Sequence, residues 1–201
     1  MSTLNTRAPA PRDAAQAPAD DRRVLYEIIR TVSSSVDLER VLGAIVELVT
    51  ERTRAHATLI FIAEGDRGGL VLRAVSDERY REQIGQVRLG HGEGLAGWVA
   101  EHREPVFIAE NALQDPRIRY FPEFEEEKYQ SIVSVPLIAP DDQVIGVIAL
   151  HAEAPRVFTE EDAAFVIHSA SLVAGAIANA RLYQAARRRV GSARFANVAF
   201  S

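Results

Sequence analysis

Gly92-Glu93-Gly94-Leu95-Ala96-Gly97 has the spacing of a G-x-G-x-x-G loop, and with Val99 it also fits the kinase form. Such loops hold phosphates because glycines let the backbone approach and the following helix presents its N–H groups. The surroundings argue against that chemistry. Glu93 puts a carboxylate inside the loop, and the strand before it is short and half polar. Lys128, the single lysine among 23 basic residues, lies too far along the chain to grip a phosphate. The glycines read instead as positions of positive φ and close strand-to-helix packing. The start of the Leu95 helix remains open to an anionic ligand group.

The five histidines, His56, His91, His102, His151 and His168, contain no i, i+4 pair with a third ligand, and H-E-x-x-H is missing. Metal catalysis is not expected. Cysteine is absent, so thiolate nucleophiles, thiolate metal sites and disulfides are excluded, and a reducing cytoplasmic location is expected. There is no G-x-S-x-G elbow, and Ser33-Ser34-Ser35 has no base near it in sequence. No nucleophilic enzyme is indicated.

Two further segments have ligand-binding composition. Asn111 to Arg117 carries Asn, Asp and Pro, which build turns through side-chain to backbone hydrogen bonds. Ile118 to Tyr129 sets Tyr120, Phe121, Phe124 and Tyr129 among Glu123, Glu125, Glu126 and Glu127. Aromatics in an acidic loop suit either a lid over a flat ligand or ordinary packing under a short helix with a solvated face.

These residues need a scaffold, and the apolar spacing supplies one. Val24, Leu25, Ile28, Ile29 and Val32 recur at helical intervals. Asp37 is placed to cap a second helix whose stripe is Leu38, Val41, Leu42, Ile45, Leu48 and Val49. His56 to Ala63 reads as a strand, Gly65 to Gly69 as a turn, and Leu70 to Ser76 as an alternating return strand. A short polar helical stretch (77–84), a strand (86–89), the Leu95 to His102 helix and the strand Val106 to Ile108 follow. Ser131 to Ala139 and Val144 to His151, flanking Pro140-Asp141-Asp142-Gln143, form the clearest hairpin. A long helix starts where Thr159 and Asp162 make a capping pair and is expected to run to about residue 189. Hairpin connections imply a central antiparallel sheet, with terminal helices on one face and the connecting loops on the other: an α+β fold.

With 201 residues, 47% hydrophobic and 25% charged, the chain has the composition of one globular domain plus short extensions. No run reaches the roughly 18 consecutive apolar residues of a membrane span. A formal net charge of −5 argues against nucleic-acid binding by the body of the chain. Residues 1–20 are Ala/Pro-rich and are expected to be a disordered arm without a secretory signal. Residues 21–36 hold the first helix, 37–186 the domain, and 187–201 a basic tail.

From Asp37 to Tyr183 the sequence resembles a GAF domain, the small-molecule sensor module of many signalling proteins. The resemblance is carried by Gly90-His-Gly-Glu-Gly-Leu-Ala-Gly-Trp-Val, by Asn111-Ala-Leu-Gln-Asp-Pro-Arg and by Ser134-Val-Pro-Leu-Ile. Val144-Ile-Gly-Val-Ile-Ala-Leu and Phe158-Thr-Glu-Glu-Asp complete it. It implies a profilin- and PAS-related six-stranded antiparallel sheet, with a ligand pocket on the face opposite the terminal helices. Its candidate ligand-binding residues are Leu95, Ala96, Trp98, Ile118, Tyr120, Phe121, Phe124, Ser131 and Ser134. The chain departs from the cyclic-nucleotide pattern at Ala112 and again at Glu125-Glu126. The position where heme-binding members carry a His is aligned with Glu126, so no heme is expected. No bilin and no methionine sulfoxide reductase chemistry are expected without Cys, and no metal is expected.

The last helix shows two stripes, one at Val166, Ala170, Val173 and Ile177, the other at Phe165, Leu172, Ala176, Asn179 and Tyr183. The second stripe favours a homodimer over a helix wrapped by its own domain. The expectation is a non-catalytic, cytoplasmic regulatory module that binds an unidentified small molecule and signals through dimer helices, with an effector protein as a further partner. No membrane or direct nucleic-acid contact is expected. The competing reading is a ligand-free dimerisation or protein-interaction module.

Overall fold

Asp37 opens the principal N-terminal helix as the spacing requires: its carboxylate accepts from the N–H groups of Glu39 and Arg40, and the helix runs Leu38–Thr53. In the computed structural model, residues 23–28, 30, 37–64 and 69–198 are described, with side chains followed as far as residue 180. The expected arm (1–20), the Ser33 to Ser35 break, most of the Gly65 to Gly69 turn, and the side chains of Tyr183 and the basic tail lie outside the described residues. Helical residues 23–28 form α1, and Leu38–Thr53 is α2. Gly94–His102 is α3, and Glu160–Val198 is α4. The Thr159 and Asp162 capping pair is reciprocal, at 3.1 and 3.2 Å.

Six strands, β1 (Ala57–Glu64), β2 (Gly69–Val75), β3 (Arg88–Leu89), β4 (Val106–Ile108), β5 (Ser131–Ile138) and β6 (Val144–Ala152), make one sheet in the order β3-β2-β1-β6-β5-β4. Every pairing is antiparallel. The antiparallel α+β architecture expected from the hairpins is therefore the one found.

Both faces of the sheet are covered. On one, α1, α2 and α4 bury Val24, Ile28, Ile45, Val49, Phe165 and Val173 against Ile60, Val133, Val135 and Ile148. On the other, α3 and the connecting loops cover Leu59, Phe61, Leu72, Ile132 and Val147. Alternation sets the two sides, with one exception. Ile60 opposes Ala74 and Phe61 opposes Leu72, so Arg73 is an extra residue in β2 and the expected alternation breaks there. Ala74 joins the helix side and Val75 the loop side.

Several boundaries differ from the sequence reading, the strand expected over 86–89 shrinking to Arg88–Leu89. The last helix continues to Val198, and the 77–84 stretch is a 3-10 helix over Glu78–Gln83. Glu160–Ala180 has the length and mean hydropathy of a membrane span, yet half of it is buried inside the domain, which accounts for its apolar residues. The second α4 stripe is partly absorbed in the same way: Phe165 and Ala176 are buried within their own domain, while Leu172 and Asn179 retain exposed surface.

Candidate functional site

The loop face holds a small hollow of about 50 Å³. Its floor is the sheet: Leu59 and Phe61 of β1, Ile132 and Ser134 of β5, Ala149 and His151 of β6. Its wall is Leu89 and the first turn of α3, Gly94 to Ala96. Its roof is Ile118, Arg119, Phe121, Phe124 and Glu126.

The wall depends on the glycines. Gly92 and Gly94 both have φ +68°, and a Cβ on Gly97 would lie 2.8 Å from the Gly92 carbonyl carbon, so the turn folds directly against the helix it starts. Glu93 is the N-cap of α3 but makes no side-chain cap. Instead Oε2 accepts from the Gly90 N–H at 2.6 Å, and Oε1 pairs with Arg119. The first backbone bond of α3 is Gly97 N–H to the Glu93 carbonyl.

The roof segment, expected as a loop or short helix, is a pair of 3-10 turns, Pro122–Phe124 and Glu126–Lys128, separated by Glu125 at φ 48°. Several contacts pin it. Phe124 meets Tyr80 edge-on at 5.4 Å, and Phe121 meets Phe124 at 6.2 Å. The Arg119 guanidinium lies 4.9 Å over the Phe121 ring, and buried Glu126 accepts from the Phe121 N–H at 2.7 Å. Glu125 pairs with Lys128, lies 3.7 Å from Arg79, and is held below its usual pKa chiefly by the Lys128 hydrogen bond.

Of the sequence candidates, Leu95, Ala96, Ile118, Phe121, Phe124 and Ser134 line the hollow. Trp98, Tyr120 and Ser131 do not. Trp98 stacks on His102 at 4.0 Å beneath the Arg117 guanidinium at 4.8 Å, a guanidinium fixed in turn by Asp115. That contact holds the Asp115 carboxyl below its usual pKa and serves the turn expected at 111–117. Tyr120 is 49% exposed and donates to Glu127 at 2.7 Å. Ser131 donates to the Ala109 carbonyl at 2.6 Å and accepts from the Arg156 N–H at 2.8 Å, closing the base of β5.

The polar residues missed from sequence are Arg119, Glu126 and His151. His151 is 7% exposed, its ring 4.9 Å from that of Tyr129, and burial pushes its pKa down to about 4. It is neutral at pH 7. Burial, with the hydroxyl contact from Tyr80, pushes the Tyr129 phenol up. No sequence signal marked His151, because β6 is buried on both faces and its pattern does not show which side the ring takes.

Ser134 is the anomaly. It is fully buried, and its Oγ has no hydrogen-bond partner among the described residues. A buried hydroxyl without a partner costs about 1–3 kcal/mol. Ser134→Ala is therefore expected to stabilise the ligand-free domain by about 1–2 kcal/mol in urea unfolding; a loss of stability would mean the hydroxyl is satisfied after all.

A larger hollow, about 340 Å³, opens under α1 and the end of α2, beside Arg52, Arg54 and Arg156. Its Arg156 is already bound to the Thr53 carbonyl and Asp162, and Glu27 and Glu51 share the lining. It offers no surface of one charge.

The sequence pattern of the GAF domain matches residues 35–178. The chain belongs to the GAF family. The GAF domain of a phosphoenolpyruvate-protein phosphotransferase from Coxiella burnetii superposes with a TM-score of 0.75 at 31% identity, covering 83% of this chain and 97% of that one. The free methionine-R-sulfoxide reductase of Neisseria meningitidis, solved with its substrate, shares the fold with a TM-score of 0.68 at 20% identity, covering 88% and 97%. A dual 3',5'-cyclic-AMP and -GMP phosphodiesterase 11A of Takifugu rubripes is 26% identical over 191 residues, covering 87% of this chain and 20% of its own length. This GAF chain thus spans about a fifth of the length of that curated relative.

Proposed function

We propose that this GAF domain is a non-catalytic regulatory module that senses a small molecule in the hollow between sheet and roof and signals through its terminal helices. The observation that carries the reading is the buried, partnerless Ser134 hydroxyl beneath a pinned lid. A folded domain gains nothing from that group alone, whereas an occupant with one hydrogen-bonding atom would offset its cost.

The path outward is short. Ser134 faces the hollow while its neighbours Val133 and Val135 face the helices, so a shift of β5 reaches α4 directly. At about 1.5 Å per residue, α4's 39 residues span roughly 58 Å, about twice the length of the eight- and nine-residue strands. Helix that outruns its own sheet suits a homodimer with a second copy, and α4 carries the signal to an effector. An occupant acts only to the extent that it prefers one helix arrangement. Catalysis is disfavoured because the chain has no cysteine to serve as a thiolate nucleophile and no G-x-S-x-G elbow. No heme, bilin or metal is part of the reading, and the module works in the cytoplasm, away from membrane and nucleic acid.

The hollow's small volume favours a second reading, a ligand-free dimerisation module. Native mass spectrometry of protein purified from its own host separates them. The sensing reading expects a dimer carrying a small retained mass that Ser134→Ala diminishes; bare protein in every preparation overturns it.

A further inference from the structure

The floor and wall of the hollow together define what chemistry it accepts. In the β5–β6 ladder Ser134 stands opposite Ala149, and Ile132 opposite His151. Ser134 and His151 are therefore diagonal neighbours on one face, about 7–8 Å apart by ladder geometry. Both line the hollow, one with an unused hydroxyl and one with a neutral imidazole.

The wall adds donors. Because Glu93 turns its carboxylate to Gly90 and Arg119, no side chain caps α3. Among the described residues no acceptor meets the N–H groups of Gly94, Leu95 or Ala96, and all three residues line the hollow. Uncapped N–H groups at the positive end of a helix favour negative charge. The partnerless Ser134 hydroxyl is independent of the helix and lies in the same space.

Size then narrows the class. At roughly 10–15 Å³ per water-sized group, 50 Å³ admits about three to five such groups. A nucleotide or a drug-sized ligand needs about 300 Å³ or more. From this, and resting on the sensory reading above, we propose that the hollow takes a small anion, a carboxylate or oxyanion of three to five heavy atoms, bridging Ser134 and His151 with its charge toward the first turn of α3.

The remaining charges fix how the anion enters. Arg119 stands at the roof, already paired with Glu93, and Glu126 is a buried carboxylate one oxygen of which is held by the Phe121 N–H. Tyr129, against the His151 ring and joined to Tyr80 by a 3.4 Å hydroxyl contact, remains neutral. An anion held against the His151 ring in a space closed to water favours the imidazolium, so His151 is the group placed to gain a proton. Binding therefore takes up a proton, and affinity falls as pH rises, by as much as tenfold per unit between about pH 5 and the pKa of His151 in the complex.

The test is an amide NMR titration of the domain with sodium nitrate at constant ionic strength, with acetamide as a neutral probe of equal heavy-atom count. Nitrate does not titrate in this range, so any pH dependence belongs to the protein. The expected result is saturable shifts at Gly94, Leu95 and Ala96, at least fivefold weaker binding in Ser134→Ala, and weaker binding at pH 7 than at pH 5. His151→Gln should flatten the pH dependence; should that variant not fold, the wild-type profile and Ser134→Ala decide alone. Saturation by acetamide and not by nitrate overturns the anion while leaving a sensory hollow in place. Uniform, non-saturating shifts, or none with either probe, overturn the anion; the sensory reading then stands or falls on the mass-spectrometric experiment.

Discussion

Replacing Gly146 by alanine is expected to cost on the order of 3–5 kcal/mol, the upper range for a single substitution, which overfilling a core position can reach. Gly146 lies in β6, between Ile62 of β1 and Leu137 of β5. A Cβ built there falls 2.2 Å from the Phe61 carbonyl oxygen, 3.1 Å from Leu137 Cδ1 and 3.3 Å from Ile62 Cα. The oxygen is backbone in the central ladder, so it retreats only if β1 and β6 separate. Overpacking alone costs about 1–3 kcal/mol, and each ladder bond lost adds about 1 kcal/mol. For a domain of this size a loss of 3–5 kcal/mol lowers Tm by roughly 6–20 °C. Gly43→Ala and Gly175→Ala are the controls. Both positions are helical with nothing within 4 Å of the added carbon, and alanine there should be neutral or stabilise by up to about 1 kcal/mol. A Gly146→Ala melt within 2 °C of wild type would show that β1 and β6 are not held as tightly as the geometry states. The same strands form the floor of the hollow, so the variant should also lose whatever the hollow binds.

Why sequence alone reached some of this and not the rest is visible in single strands. Local chemistry was legible: the Asp37 cap, the Thr159 and Asp162 pair and the β5–β6 hairpin each depend on residues within four positions of one another. Facing was harder. On a strand, positions three apart point to opposite sides, so Ser131 and Ser134 were never able to line the same hollow as both were expected to do. β6 is apolar along its whole length because both faces are covered, and a continuous apolar run does not say which side His151 takes. The β2 bulge at Arg73 required knowledge of the β1 register. In the roof, where composition left a lid-like loop and a short helix equally open, Glu125 at positive φ separates two 3-10 turns, with Phe124 and Glu126 buried and Tyr120 at the surface. Arg119 was invisible as a site residue because its partner Glu93 lies on another element.

Between pH 6.5 and 4 the ligand-free domain is expected to lose about 3 kcal/mol of stability through His151 alone. Burial lowers the folded pKa of this imidazole to about 4 from the model-peptide value of 6.5. As pH falls through that interval the unfolded chain takes up a proton that the folded chain refuses, so unfolding becomes easier. The contribution is absent above about pH 7.5, nearly full at pH 4 and complete about one unit lower, at 1.36 kcal/mol per unit of difference. Asp77 and Asp115, held low first by hydrogen bonds from Arg79 and Arg117, act in the same direction around and below their ordinary value of 3.8, and Glu125 and Glu127, held low first by hydrogen bonds with Lys128 and Tyr120, do so around 4.5. Above about pH 5.5 the change therefore belongs to the histidine, and below that the difference from His151→Gln isolates the imidazole. Urea unfolding at pH 7.5, 6.0 and 4.5 should show a progressive fall for wild type, with His151→Gln nearly level down to pH 6.0 and falling much less than wild type at pH 4.5. A level wild-type profile would mean that the imidazole is solvated or already paired. An occupant that supplies negative charge beside His151 reverses the sign locally. It raises the pKa of the folded imidazole toward or above 6.5, so a bound anion should protect the domain most where the empty domain is weakest.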